Sequence, residues 1–186
     1  MPSFTQFAGL AMIVLSLGYF ANALPVSLLS PVNLSCPGQD PISLIVAKLI
    51  LDIQVKISAL VACGSIADLN VAVDLLVVHI KACADDLLKV GAGVAVSYEA
   101  QASIVACIAG VITLFVRAFI AITLKFGLAA VVTVFAKIDL ALELLLINLN
   151  ICIGGILALV VKALASVTVG LLAQVQLKLC LGVLGL

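Results

Sequence analysis

The fold turns on residues 40–64, DPISLIVAKLILDIQVKISALVACG. Two readings compete for this stretch. Asp52, Gln54, Lys56 and Ser58 alternate with apolar residues, the period-2 signal of a strand. Lys48, Asp52 and Lys56, however, recur every fourth residue, which sets opposite charges on neighbouring turns of one helix face. The ends decide between them. Asp40 offers an N-cap acceptor, and Pro41 sits at the first helical position, where its missing N–H costs nothing. Gly64 closes the run. An all-β chain would need turn residues about every 8–12 positions, and none falls inside this one. It reads as a helix over 41–63.

The same pattern continues outward. From Ile42 to the end there is no proline, and glycine punctuates instead, at Gly64, Gly91/Gly93, Gly127, Gly154/Gly155 and Gly182. The steps 64 to 91, 127 to 154 and 155 to 182 are equal, and each fits one helix of roughly 23–27 residues, about 35–40 Å long. Ser65 and Ser97 can cap further helices, with Asp68 and Glu99 in their first turns, where the helix dipole favours negative charge. Gln174, Gln176 and Lys178 alternate again with apolar residues, but Leu and Ala outnumber the aromatic strand formers. The expected helices are 41–63, 66–90, 97–126 (with a break allowed at Gly110), 128–153 and 156–181. The fold class is therefore all-α, a bundle of four to five long, highly apolar helices.

Composition narrows the function. The chain has 186 residues, 66% hydrophobic and 10% charged, with mean hydropathy +1.45. Disorder requires the opposite balance. Nine basic against nine acidic residues leave no excess to neutralise phosphates, so nucleic acid is not an expected partner. The apolar run Phe7–Phe20, followed by Ala21-Asn22-Ala23, has the form of a cleaved secretory signal over 1–23, with an uncleaved N-terminal anchor as the rival, since no Lys or Arg precedes the run. A proline-punctuated lead spans 24–40 and carries a glycosylation sequon at Asn33-Leu34-Ser35. The helical domain follows over 41–186. Export would place the protein outside the cell, at the wall or against a membrane.

Six cysteines, Cys36, Cys63, Cys83, Cys107, Cys152 and Cys180, form an even set behind that signal. They read as three disulfides stapling helix ends, against an alternative of buried free thiols. A hairpin of the first two helices would bring Cys83 towards Cys36, the first-guess pair. No C-x-x-C occurs, so neither a redox pair nor a zinc site is expected.

Catalytic signals are weak. His79 is the only histidine; with Cys83 it forms an i, i+4 pair that reads as helix surface rather than metal site. Glu99 stands alone. Asp139 and Glu143, also four apart, could pair as acid and base, but beside Lys137 they read as a solvated stripe. No nucleophile elbow, phosphate loop or dinucleotide fingerprint appears. The expectation is a non-enzyme with no cofactor and no metal.

What remains is apolar surface in excess of one core. Lys48, Asp52 and Lys56, and likewise Asp74, Lys81, Asp85 and Lys89, make thin polar lines on otherwise greasy helices. A water-facing helix shows an apolar stripe only about 100° wide. Three receivers are open: a bilayer crossed by several spans, a hydrophobic–hydrophilic boundary, or a second copy or bound lipid. Residues 24–99 carry four basic and seven acidic residues, 100–186 five and two, so the halves are complementary.

In layout, with the signal, the Asn33-Leu34-Ser35-Cys36-Pro37 lead and the long Leu/Val/Ala helices, the chain resembles the small secreted hydrophobic proteins of mushroom-forming fungi. It is hydrophobin-like in role but not in cysteine pattern, since hydrophobins carry eight cysteines with adjacent pairs on a small β structure. Saposin-like lipid binders share six cysteines on helices, at about half this length and with a C-x-x-C absent here. The resemblance implies a self-assembling coat of hyphae or cell wall. The expected function is surface activity at hydrophobic–hydrophilic boundaries, with an integral membrane protein and a lipid carrier as alternatives.

Overall fold

Each of the first three helices starts where a side-chain acceptor precedes an apolar run. Asp40 accepts the Ser43 amide at 2.9 Å, Ser65 that of Asp68 at 3.1 Å, and Ser97 that of Ala100 at 3.2 Å. These caps satisfy amides that would otherwise have no helical partner. A computed structural model describes residues 36–164, 170–172, 175 and 177–186. The expected signal, residues 24–35 of the lead with Asn33, and Gln174 and Gln176 lie outside the described residues.

Every regular element among the described residues is a helix. We name them α1 (Pro41–Ala62), α2 (Ile66–Val90), α3 (Tyr98–Phe126), α4 (Leu128–Cys152), α5 (Ile156–Ala163) and α6 (Lys178–Leu184). The four long helices fall where the sequence puts them. Two expectations need correction. Gly110 does not break α3, which runs through it. The expected helix 156–181 is not continuous: α5 ends at Ala163, before Leu164, whose backbone is extended, residues 170–172 are again helical, and α6 starts at Lys178. The sequence that follows Leu164 carries three β-branched residues in a row, Val167, Thr168 and Val169, which lowers its helix propensity.

The helices stack as pairs. α1 packs on α2 and α3, α2 chiefly on α4, α3 also on α5, and α4 on α6. The arrangement is three layers, α1/α2, α3/α4 and α5/α6, with α1–α3–α5 along one side and α2–α4–α6 along the other. The first two layers run parallel and in register. Asp74 meets Lys137, Ala84 meets Asn148 and Leu87 meets Cys152, at separations of 63, 64 and 65 residues. Gly64 and Gly127, and Gly91 and Gly154, share that 63-residue offset. Gly127 alone joins α3 to α4, at φ +82°, a conformation that side chains disfavour.

The middle layer is covered on both sides and holds the core. Phe119 stacks on Phe135 at 3.9 Å between ring centroids, and Phe115 meets Phe119 edge-on at 5.9 Å. Layers one and two are also pinned at both ends. Lys125 Nζ donates to the Cys63 carbonyl at 2.6 Å, placing a cation on the C-terminus of α1. At the opposite end Cys36 and Cys107 form a disulfide.

Candidate functional site

The disulfide corrects the first-guess pair: Cys36 joins Cys107, not Cys83, across Cα atoms 6.3 Å apart. The parallel run of α1 and α3 explains it, since the lead into α1 reaches the first turns of α3. Cys83 instead points into the core. The other four cysteines are free thiols here, so one staple replaces the expected three. Cys152 donates to the Leu87 carbonyl at 3.1 Å, and half-buried Cys63 to that of Ala59 at 3.3 Å. Burial pushes the Cys83, Cys152 and Cys180 thiols up, Cys180 furthest because Asp139 also bonds to it, which makes all three inert.

The acid pair separates into different roles. Asp139 is buried, and its two oxygens accept the amides of Leu179 and Cys180 at 2.8 and 3.0 Å. It thus caps α6 from across the layer boundary. Glu143, one turn on, is only part-exposed on the same flank. Glu99 lies with Asp40 and Ser97 on the rim of an open depression of about 420 Å³, where the N-termini of α1 and α3 meet. Asn148 is buried and donates to the Ala84 carbonyl at 2.8 Å, holding α4 against α2.

His79 sits in the α1/α2 seam, its Nε2 3.1 Å from Asp52 but off the line a hydrogen bond requires. Burial holds its pKa below the ordinary 6.5; Asp52 opposes that shift, while Lys56 and Lys48 reinforce it. Cys83 lies one turn along the same helix, and no group of three or more ligating side chains occurs among the described residues. A histidine kept neutral by the fold takes up its proton first in the unfolded chain. Stability should therefore fall as pH drops below about 6.5 and level off under the folded value. Urea titrations at stepped pH should show this slope, and His79→Gln should flatten it.

The largest chemical feature is aliphatic surface. Val55 is 72% exposed and Leu51 70% on α1, and Val78 67%, Val71 63% and Leu75 62% on α2. On α4, Leu140, Leu144, Ile147 and Ile151 form one exposed line. The polar line of α2 runs between the aliphatic lines of α2 and α4, and its Asp74 pairs with Lys137 at 2.7 Å in the seam. Single exposed leucines mean little, whereas patches beyond about 300–600 Å² mark binding surfaces. Comparison with protein-family models, curated proteins and solved structures finds no match.

Proposed function

We propose that the chain is a secreted, non-catalytic structural protein of the cell surface or wall, surface-active through its aliphatic helix faces. The observation that carries this reading is the exposed aliphatic lines that α1, α2 and α4 each present, Leu51 and Val55, Val71, Leu75 and Val78, and Leu140, Leu144, Ile147 and Ile151. Such a face gains free energy at any apolar boundary, roughly 25 cal/mol for each Å² removed from water. The Cys36–Cys107 disulfide supports an oxidising compartment, as does the secretory form of residues 1–23. A multispan reading has less support. Among the described residues α3 alone is long and apolar enough to cross a bilayer, and 61% of its most apolar window is buried against the protein's own helices.

Fractionation among medium, wall and carbonate-washed membrane tests the location; retention in the washed pellet would overturn it. Surface tension tests the activity. The wild-type chain should lower it at micromolar concentration. Leu75→Glu with Val78→Lys should raise the concentration needed at least about tenfold. Because both positions are exposed, unfolding stability should stay within about 0.5 kcal/mol. Equal surface activity in the two proteins would sink the reading.

A further inference from the structure

We infer that α6 is a releasable strap: docked on Asp139 in water, it lets go at an apolar boundary and enters that boundary itself. The inference rests on the proposed surface activity and names the element that changes state in it.

The build of α6 makes it the readiest element to leave. It has seven residues, with Gly182 among them, and a helix so short does not hold alone. No side chain at its own N-cap bonds to it. The amides of Leu179 and Cys180 are satisfied from α4 instead, by the two oxygens of Asp139. Helix and docking therefore form together or not at all. Inward, the segment seats only Leu177, Cys180 and Leu184, whereas α1 buries eight residues. Ordering the segment offsets much of so small a gain. The fastenings between the first two layers, from the Cys36–Cys107 disulfide to Lys125, do not involve α6.

What a boundary adds is a better receiver. Residues 177–186 read Leu-Lys-Leu-Cys-Leu-Gly-Val-Leu-Gly-Leu, with one charge among them. Docked, the segment is apolar on both sides: Leu177, Cys180 and Leu184 face the core, while Leu179 and Leu186 stay 40% and 48% exposed. An apolar boundary takes both sides of the released segment and only the outer side of the docked one. That difference is what shifts the equilibrium. Lys178 reaches back to water along its aliphatic stem. Asp139 does not oppose the change, because its flank already reaches solvent at part-exposed Glu143 and water replaces the two amides. In water alone there is no such receiver, and the docked state prevails.

The native thiols report each region: Cys83 in α2, Cys152 at the end of α4 and Cys180 in α6, all buried. Maleimide labelling of the full chain is compared in buffer and on a hexadecane emulsion. Cys180 should label at least about tenfold faster on the emulsion, with Cys83 and Cys152 within about twofold of their rates in buffer. A lock gives the second measurement. The Cys180 sulfur lies 3.8 Å from the Asp139 carbonyl oxygen, so Asp139→Cys, oxidised with diamide, should bond to it. The locked chain should adsorb at least about tenfold more slowly than Asp139→Cys/Cys180→Ser, which cannot lock. Unchanged Cys180 labelling on the emulsion, all three buried thiols rising together, or equal adsorption of locked and unlocked chains would each overturn the strap. The two readings fail separately: lowered surface tension with Cys180 still protected keeps the proposed function and removes the strap, whereas unchanged surface tension removes the function on which it rests.

Discussion

Replacing Cys36 and Cys107 together by serine is expected to lower the unfolding free energy by about 4 kcal/mol. The bridge joins residues 71 apart, and closing a loop of that size restricts the unfolded chain by about that amount. It is also the only covalent tie among the described residues between the lead and α3. Urea denaturation with and without reductant gives the measurement. Reduced wild type and the double serine variant should coincide, because the remaining thiols do not pair. A loss below about 1 kcal/mol would show that the unfolded chain is already compact enough to make the closure redundant.

The second large effect belongs to Asp139. Its carboxylate makes two charge-assisted hydrogen bonds to first-turn amides of α6, one of them the buried Cys180 amide. Each such bond contributes about 1.5–3 kcal/mol, and alanine would leave both amides without acceptors. Asp139→Ala should therefore destabilise the docking of α6 by about 3 kcal/mol or more. Asp139→Asn should lose about half of that, since one carboxylate oxygen becomes an amide donor facing another donor. Cys180 reports the change directly. Its thiol is buried and held protonated in the native fold, so maleimide labelling should accelerate at least about tenfold in Asp139→Ala. Unchanged labelling would mean that apolar packing alone seats the helix.

The disulfide and Asp139 also mark the limits of reading the sequence. The long helices were legible because their signals are local: Asp40-Pro41, Ser65, Ser97 and Gly127 act within one turn of where they stand. The disulfide was not, because hairpin logic places Cys83 near Cys36, whereas stacking places α3 beside α1. Which helix lies across from which is decided by two-sided burial of α3 and α4, and no single segment records it. Asp139 misled for a related reason. At i, i+4 from Glu143 it resembles a solvated stripe, and only the return of the chain after α5 supplies the amides that bury it. The surplus of apolar surface was legible as a quantity. Where it falls depends on which helices stack, as the 63-residue register of α2 on α4 records.

That register gives the molecule a mechanical polarity. A covalent bond at one end, Lys125 at the other, and Asp74, Asn148 and Cys152 between them fasten the first pair of helices to the second. The last pair is short, and its one polar fastening among the described residues is Asp139. Load applied to the α1/α2 end passes straight into the aromatic core, while the α5/α6 end yields first. A film of such molecules would be stiff where the first pair bears on its neighbours and compliant where the last pair does, with one carboxylate setting the ratio.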